Sequence, residues 1–536
     1  MKKILIIIII ISLSGSVWSQ NIPTIKVSTS EFEKDFSSIR NNTYDDNIIG
    51  KKITLTRSKT KLEWHSSKDG AYSIFEINIE TNIGFGLIVY FDQLELPKGS
   101  SIRAFSYNKL YSTKIFYHNF NKQTSSFAMP LIKSNKLTLE ARIPTVKIDE
   151  FISNISEIGC IPINSREESG FGATESCFVN VNCSDAADWQ NQKRAVVKYT
   201  YTIGGDIGIC TGSFINNTAQ DNRNLFLSAQ HCAQEATTEE LGQTIFYFNY
   251  ESSDCDNPLN DDNLDDETVI GCIRLAGSGP VGPLPPNGSD FHLFEVNPIP
   301  ESYNVYYAGW NRNDVGALSG PGAIIQHPLA DIKKISFVSG FQQAIDGSDL
   351  EAVIKYSASG SGGAVEANSS GSGIFDGNKL IVATVSYGST GCYTGSYASG
   401  DGGKFFSHWD QNGTEANRQL KPWLDPSNTG VMTLDGKNAA SVGIEKINQS
   451  KNDILIYPNP AYDNIYIECK KAENINKVKV SLININGTLV FEDDVYINEN
   501  YMLNRIDIRN LKHGIYFITI SNFENQFYKS SKFIKY

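Results

Sequence analysis

Short runs in which apolar and polar residues alternate recur along most of this chain. Clear examples are residues 71–79 and 85–91, which are separated from their neighbours by glycine, asparagine, lysine and serine. A period of two places every second side chain on the same face, which is typical of half-buried β-strands joined by tight turns. Residues 20–169 are therefore predicted to form an antiparallel β domain, and we find no catalytic constellation in them.

The same alternation continues after residue 169, with more glycine between the short apolar runs. Residues 170–437 are glycine-rich with short strands, which is typical of a double β-barrel, and a helix is predicted over 415–421, ending before Pro422. A polar linker is predicted over 438–453. Strands alternate again over 454–536, which indicates a small β-sandwich. The predicted fold class is all-β.

Length and charge limit the possible functions. A chain of 536 residues is too long for one core, and such a length suggests about three or four domains. The net charge is −12 and the sequence pI is about 5.2. An acidic balance of this kind argues against nucleic acid as a partner.

The first residues indicate export. Lys2 and Lys3 precede an apolar run over 4–13, and a small-residue cleavage site ends at Ser19. This is the organisation of a signal peptide, predicted over 1–19, and the run is too short to span a membrane. The nine cysteines contain no Cys-x-x-Cys pair, so disulfides are expected rather than a metal site or a cofactor.

Three motifs carry the candidate chemistry. LSAQHC at 227–232 contains His231, GSDF at 288–291 contains Asp290, and SSGSG at 369–373 contains Ser370. This is the chain order of a charge triad in which His231 is the base, Asp290 orients it and Ser370 is the nucleophile. The backbone N–H groups of Asn368 and Ser370 are the expected oxyanion donors.

Each member has rivals in the sequence. His292 would share a face with Asp290 in a strand, while His327 precedes a proline. Asp331 is a second acid, and Ser361 lies in a similar glycine-rich turn. Ser370 is favoured over Ser361 because a turn and then an apolar strand follow it.

Longer strings over 177–430 resemble the lysyl endopeptidases, a bacterial branch of the chymotrypsin-fold serine proteases. The matching strings are CTGSFINNT at 210–218, LSAQHC at 227–232, YAGWNRND at 307–314, GAIIQHP at 322–328, SGGAVEANSSGSGIF at 361–375 and WLDPSNTG at 423–430. The resemblance implies the triad His231, Asp290 and Ser370, with Ser361 in the preceding loop.

The resemblance also implies pairings for six cysteines: Cys177 with Cys392, Cys183 with Cys255, and Cys210 with Cys232. Each such bridge is worth roughly 2–4 kcal/mol. Cys272 is then left either free or joined to Cys160.

Substrate preference is likewise implied by resemblance. The position of the trypsin-type pocket acid is Ala364, and the lysyl endopeptidases place their acid later, which here is Asp401. A buried carboxylate would select a lysine ammonium. Asn368 and Gly373 depart from the family's usual glycine and proline, and Ser386 replaces a histidine that flanks the lysine pocket. Asn tolerates a positive φ better than most residues, so the oxyanion hole is still expected.

The final region resembles a type IX secretion C-terminal sorting domain, through its Tyr-Pro-Asn-Pro opening at 457–460 and its strand entry at 511–516. This implies the type IX secretion machinery as a partner and a secreted or surface-attached product. Residues 20–169 would be a pro-region that assists folding or blocks the cleft. The maturation cut is predicted between residues 163 and 177, where Arg166 is the only basic residue.

The predicted function is a monomeric, lysine-preferring serine endopeptidase that acts on proteins or peptides. Two alternatives stay open at the level of sequence. One is an inactive or weakly active surface-displayed binding protein on a protease fold, favoured by Asn368 and Ser386. The other is a protease with a preference for arginine or for neutral side chains.

Overall fold

The computed structural model describes most of the chain, in two compact units that span residues 1–441 and 442–536. The described residues are 22–28, 47–55, 64–82, 84–118, 124–162, 170–261, 264, 267–279, 288–343, 349–354, 362–388, 392, 399–439, 454–457, 459, 461–470, 477–484, 488–496, 501–521 and 528–535. The predicted signal peptide lies outside these ranges, as do residues 440–453 of the predicted linker. Within them, no helix is both long and apolar enough to cross a membrane.

The N-terminal region is built of strands, as its alternation predicts. They are β1 (Thr24–Lys26), β2 (Ile48–Thr54), β3 (His65–Asp69), β4 (Tyr72–Glu80), β5 (Phe85–Glu95), β6 (Ser101–Ser106), β7 (Phe116–Tyr117), β8 (Phe127–Ile132), β9 (Lys136–Pro144) and β10 (Ile152–Pro162). One sheet has the order β1-β4-β9-β6-β7, with β3 beside β4. In the other, β10 lies between β2 and β5, and β8 follows β5. Alternate residues such as Ile77 and Ile79 fill the core.

The next strands form a first barrel around aromatic side chains. They are β11 (Val179–Asn180), which pairs outside this barrel, β12 (Val196–Ile203), β13 (Asp206–Phe214), β14 (Leu225–Ser228), β15 (Ile245–Tyr247), β16 (Thr268–Ile270), β17 (Cys272–Gly277) and β18 (His292–Val296). The strand order is β16-β15-β12-β13-β14-β18-β17. Tyr199 stacks on Phe246 in its core, with ring centroids 5.7 Å apart.

A second barrel follows. Its strands and their attachments are β19 (Tyr306–Tyr307), β20 (Trp310–Asn311), β21 (Gly322–Gln326), β22 (Lys334–Gln343), β23 (Asp349–Ile354), β24 (Gly373–Phe375), β25 (Ile381–Gly388), β26 (Ser399–Lys404), β27 (Thr433–Leu434) and β28 (Lys437–Asn438). The order β24-β21-β22-β23-β26-β25 closes on itself through pairing of β24 with β25. The predicted all-β fold with a double barrel is thereby confirmed.

The N-terminal region and the first barrel share a sheet. Strand β2 pairs antiparallel with β13, so that Lys51 lies opposite Asp206 and Ile48 opposite Gly208. The same β2 pairs with β10 through its other edge. Residues on both sides of 169/170 belong to one compact unit. The domain boundary predicted there therefore stays a prediction.

The helices are short. They are α1 (Gln230–Ala233), α2 (Thr238–Gly242), α3 (Phe405–Asp410) and α4 (Lys421–Leu424), with 3₁₀ turns at Thr145–Glu150, Ser184–Trp189, Gln192–Arg194, Glu301–Tyr303, Val315–Ala317, Pro328–Ala330 and Ala416–Arg418. The predicted helix over 415–421 is wrong. It is replaced by the 3₁₀ turn and by α4, which contains Pro422 in its first turn. A proline is tolerated there because the first N–H groups of a helix have no partner within it.

The second unit contains β29 (Ile454–Tyr457), β30 (Asn464–Lys470), β31 (Lys477–Asn484), β32 (Leu489–Tyr496), β33 (Tyr501–Asp507), β34 (Gly514–Ser521) and β35 (Tyr528–Lys535). They form two sheets, ordered β29-β30-β33 and β32-β31-β34-β35. Alternate apolar residues such as Ile465, Val480 and Ile518 form its core.

Candidate active site

His231 is held at the start of the barrel's first helix. It lies in α1, directly after strand β14, and its neighbour Cys232 forms a disulfide with Cys210 of β13. This bridge ties the histidine segment to an adjacent strand. The His231 side chain is one-fifth exposed, so part of it reaches solvent.

Asp290 makes two hydrogen bonds to His231. Its Oδ1 accepts from the His231 backbone N–H at 3.0 Å, and its Oδ2 lies 2.8 Å from Nδ1 of the ring. Because an ionised carboxylate can only accept, the ring proton is on Nδ1 and the lone pair is on Nε2. Asp290 is fully buried and has a left-handed backbone, with φ of 59°.

Ser386 donates a third hydrogen bond to this carboxylate. Its Oγ lies 2.7 Å from Oδ2 of Asp290, and the serine is itself buried. The resemblance implied that Ser386 flanks a lysine pocket, whereas the structure places its hydroxyl on Asp290. Sequence reasoning missed this contact, since Ser386 is nearly a hundred positions from Asp290 with no motif around it.

Ser370 lies beside the histidine segment. Its carbonyl accepts from the backbone N–H of Thr211 in β13 at 3.0 Å. The following residue, Gly371, has a φ of 83°, and a Cβ there would approach the backbone nitrogen of Ala229 to 2.7 Å. Only glycine allows this approach, so the turn that carries Ser370 is packed against the chain two residues before His231.

Asn368 has a left-handed backbone conformation. Its φ is 68°, its carbonyl accepts from Oγ1 of Thr211 at 2.9 Å, and its side-chain Nδ2 donates to the Ile209 carbonyl at 3.1 Å. These bonds hold the turn in a left-handed conformation that asparagine adopts more readily than most residues.

A residue of the N-terminal region, Asn47, reaches into this turn. Its Oδ1 accepts from the backbone N–H of Asn368 at 2.8 Å, and its Nδ2 lies 3.5 Å from Oγ of Ser370. Its backbone carbonyl accepts from the N–H of Ile209 at 3.0 Å and from Nδ2 of Asn368 at 3.2 Å. Asn47 directly precedes β2, so strand pairing with β13 sets its position. No sequence motif signalled it.

Asp401 is buried in the second barrel. It lies in β26, and its Oδ2 accepts from Oγ of Ser399 at 2.9 Å. A Cβ on its neighbour Gly400 would come within 3.0 Å of Val365, which lies on the segment leading to Ser370. The strand that carries Asp401 thus packs against that segment. Ala364 is buried there as well.

The rival residues make other contacts. Nε2 of His292 accepts from Nε of Arg274 at 2.7 Å, and burial together with this guanidinium lowers the pKa of His292 well below its usual range. His327 is buried and bonded through Nδ1 to the Asp331 carbonyl. The Asp331 carboxylate accepts from the N–H of Gly172 at 2.8 Å. Ser361 lies outside the described residues.

The structure contains the three disulfides that the resemblance implied. They join Cys177 to Cys392, Cys183 to Cys255 and Cys210 to Cys232. Cys160 and Cys272 are separate, buried free thiols. Burial raises the pKa of each to about 12, so both stay as neutral thiols at ordinary pH.

Comparison with known proteins finds two domain families in the chain. Residues 171–403 match the model of the lysyl endopeptidase C-terminal domain, and residues 455–535 match that of the secretion system C-terminal sorting domain. A lysyl endopeptidase from Pseudomonas aeruginosa is 28% identical over 256 residues, which cover 46% of this chain and 52% of the relative. The chain thus spans about half the length of the curated relative it matches.

Two solved structures share similarity with 40% of this chain. The thermostable serine protease AL20, from an extremophilic microorganism, is 13% identical with a TM-score of 0.27, and 92% of its chain is covered. The protease Anisep from Arthrobacter nicotinovorans is 15% identical with a TM-score of 0.26, and 91% of its chain is covered.

The sorting domain indicates export by type IX secretion to the cell surface or the extracellular space. The chain is thus lysyl endopeptidase-like over residues 171–403, which contain the three disulfides, and carries a C-terminal secretion sorting domain over residues 455–535.

Proposed function

We propose that the processed chain is a serine endopeptidase that cleaves on the carboxyl side of lysine, with Ser370, His231 and Asp290 as its triad. The observation that carries the proposal is the pair of hydrogen bonds from His231 to Asp290. With Nδ1 bonded to Asp290, Nε2 is the ring atom that would act as the base.

The proposed mechanism assigns one role to each of these residues. Ser370 Oγ attacks the scissile carbonyl carbon while Nε2 of His231 takes the hydroxyl proton. The imidazolium that forms is stabilised by Asp290, and the oxyanion accepts hydrogen bonds from the backbone N–H groups of Asn368 and Ser370. The same proton then passes from Nε2 to the leaving amine. Water repeats the sequence to release the acyl group from Ser370.

Lysine preference is proposed from Asp401. A buried carboxylate in the strand against the Ser370 segment would pair with a lysine ammonium. An uncharged substrate side chain in that position would not gain this charge pairing, which favours lysine substrates. The hydroxyl of Ser399 already satisfies one lone pair of Oδ2, which helps to keep the carboxylate oriented.

The uncut chain is proposed to be latent. Asn47 accepts a hydrogen bond from the same Asn368 N–H that an oxyanion needs, and its amide group lies against Ser370. We retain residues 20–169 as the pro-region, with the cut between 163 and 177. Since Arg166 is the only basic residue in that segment, a protease other than a lysine-specific one would process it.

The proposal is tested by a cleavage map. Exported, processed protein and its Ser370→Ala variant are incubated with denatured mixed proteins, and the new termini are read by mass spectrometry. Cuts after lysine that vanish in Ser370→Ala are the expected result. Asp401→Asn serves as the pocket control, and we expect it to lose at least about tenfold in kcat/KM for lysine substrates.

Other outcomes would overturn specific parts. Cuts after residues other than lysine that vanish in Ser370→Ala would support the triad and contradict the lysine preference. Activity that survives in Ser370→Ala would contradict the triad. An absence of cuts from correctly processed protein favours the alternative function, a surface-displayed binding protein.

A further inference from the structure

A chain of hydrogen-bonded polar side chains, all buried except the half-buried Asn412, leads to the backbone of Asp290. It consists of Asn412, Ser289, His408 and Thr384, and it ends on the Asp290 carbonyl. We propose that His408 is a positioning residue that orients Asp290 for catalysis through Ser289 on one side and Thr384 on the other. This inference rests on the proposed function, because it assigns a role within the same triad.

The donor and acceptor roles in this chain can be deduced from one backbone N–H group. The Ser289 N–H can only donate, and it lies 2.9 Å from Oδ1 of Asn412, which fixes that oxygen as an acceptor. Nδ2 of Asn412 is therefore the atom that donates to Oγ of Ser289 at 2.9 Å and to the Ser407 carbonyl at 2.9 Å. Since Ser289 Oγ accepts this bond, its own proton is available for His408 Nδ1, which lies 2.7 Å away.

The second half of the chain follows from the first. With Nδ1 of His408 accepting, the ring proton is on Nε2 and donates to Oγ1 of Thr384 at 3.0 Å. The Thr384 hydroxyl then donates to the Asp290 carbonyl at 3.4 Å. If Nδ1 carried the ring proton instead, Nε2 would accept the proton of the Thr384 hydroxyl. That hydroxyl could then no longer donate to the Asp290 carbonyl. The structure thus assigns the Nε2–H tautomer to His408.

A histidine suits this position because it carries one donor and one acceptor on opposite sides of a rigid ring. His408 is fully buried, with the ring of Phe291 5.2 Å away and that of Phe405 6.2 Å away. Burial lowers its pKa to about 3, so the ring is neutral throughout the range in which the triad would work. Its role is therefore to hold geometry and not to exchange protons.

The segment that His408 holds has a costly conformation. Asp290 has a φ of 59°, a region that aspartate adopts less readily than glycine. Packing around the chain is tight: a Cβ on Gly403 would lie 1.7 Å from the Ser289 carbonyl oxygen and 2.7 Å from Cε1 of His408. His408 of α3 thus contacts Ser289 directly and Asp290 through Thr384, while the Asp290 carboxylate contacts His231 and Ser386.

Two variants test the proposal in the processed protein. Thr384→Val removes one hydroxyl at nearly constant volume and leaves His408 in place, while His408→Gln removes the ring. We expect each to lower kcat at least tenfold with KM changed less than threefold. The matched control is Thr414→Val, an exposed threonine of the same domain, which should leave both parameters unchanged.

A second readout separates positioning from simple structural support. A displaced Asp290 stabilises the His231 imidazolium less, so the acid limb of the kcat/KM profile should move to lower pH in both variants. In the unmodified protein, ¹⁵N NMR of His408 should show an unprotonated Nδ1 and a protonated Nε2. A His408 protonated on Nδ1 would overturn the assigned tautomer, and with it the chain of donors to Asp290.

The outcomes distinguish this inference from the proposed function. If the unmodified protein lacks Ser370-dependent hydrolysis, the proposed function fails. If it hydrolyses substrate and both variants keep its kcat and acid limb, only the role of His408 is overturned. A lower melting temperature with unchanged kinetics would show that the chain serves the fold alone.

Discussion

The side-chain oxygen of Asn47 accepts a 2.8 Å hydrogen bond from the backbone N–H of Asn368. The two residues are 321 positions apart, yet the antiparallel pairing of β2 with β13 brings one directly to the other. A polar side chain of the N-terminal region therefore occupies the backbone N–H that the proposed mechanism assigns to the oxyanion.

Asn47→Ala should activate the uncut chain. The substitution removes the bonds from the Asn47 side chain to Asn368 and Ser370 while strand β2 stays paired, so the Asn368 N–H becomes available. A neutral hydrogen bond is worth about 1 kcal/mol, which corresponds to roughly a fivefold to tenfold gain. The rate at which a fluorophosphonate probe labels Ser370 in uncut protein measures it. Asn108→Ala, in an exposed turn of the same region, is the control, and equal labelling of both variants and the unmodified chain would contradict latency through Asn47.

Ser386→Ala should reduce catalysis without unfolding the protein. The Ser386 hydroxyl donates to the Asp290 carboxylate at 2.7 Å in a buried setting. A hydrogen bond to a charged group is worth about 1.5–3 kcal/mol, so kcat/KM should fall about tenfold or more. Steady-state kinetics on a lysine ester measures the loss. The exposed Ser253→Ala gives the baseline, and a lysine-specific rise in KM alone would instead favour a direct substrate contact by Ser386.

The sequence predicted those features of the molecule that depend on residues close together in the chain. Alternation of apolar residues predicted the strands, because a half-buried strand must place every second side chain inside. The motifs around His231 and Asp290 predicted two side chains that the structure joins at 2.8 Å. Pro422 misled the helix prediction, since its missing N–H costs nothing in the first turn of α4.

Contacts between segments that are distant in the chain could not be predicted from local sequence patterns. The approach of Asn47 to Ser370 depends on the register of β2 against β13, and a register is set by pairing across the sheet. Ser386 and His408 meet the Asp290 segment from two other elements of the second barrel, and neither lies in a motif. The positions of Asn47 and His408, and the contact of Ser386 with Asp290, are apparent only in the assembled structure.

Glu251→Gln should destabilise the protein strongly. The buried Glu251 carboxylate accepts from Lys193 at 2.9 Å and from Lys333 at 3.0 Å, and Lys333 is itself 1% exposed. Removing one partner leaves a buried ammonium with a weaker acceptor, which costs about 3–5 kcal/mol in the free energy of unfolding. Urea unfolding of the full chain measures this cost. The exposed Glu301→Gln is the matched control, and a loss below 1 kcal/mol would show that the lysines find other acceptors.

The same carboxylate predicts an acid dependence. Burial acts to raise the pKa of Glu251, but Lys333 and Lys193 outweigh it and hold the pKa at about 2, against an ordinary value of 4.5. Its folded pKa is depressed, so the stability it contributes is present above pH 4.5 and is lost as the pH falls toward 2. The unfolding free energy of the unmodified chain should approach that of Glu251→Gln across this interval. A difference that stays constant from pH 5 to pH 2 would contradict the assignment.

Lys114 should make the precursor's stability depend on alkaline pH. It extends from the N-terminal region to the first barrel, where Nζ donates to the Thr268 carbonyl and, at 2.9 Å, to the Tyr303 hydroxyl. Burial lowers its pKa from 10.5 to about 8, and the Glu267 carboxylate opposes the shift only in part. The folded pKa is depressed, so the stability linked to this group is complete above pH 10.5 and is lost as the pH falls to 8.

The measurement compares the unfolding free energy of the full chain with that of Lys114→Met from pH 7 to pH 10.5. The difference should be flat below pH 8 and should then rise in favour of the unmodified chain by up to about 1.4 kcal/mol per pH unit, because unfolding takes up one proton. Lys68→Met, at an exposed lysine of the same region, should keep the pH dependence of the unmodified chain. A flat difference across the whole range would show that Lys114 stays protonated in the folded precursor, held by Glu267 and by its hydrogen bonds to the first barrel.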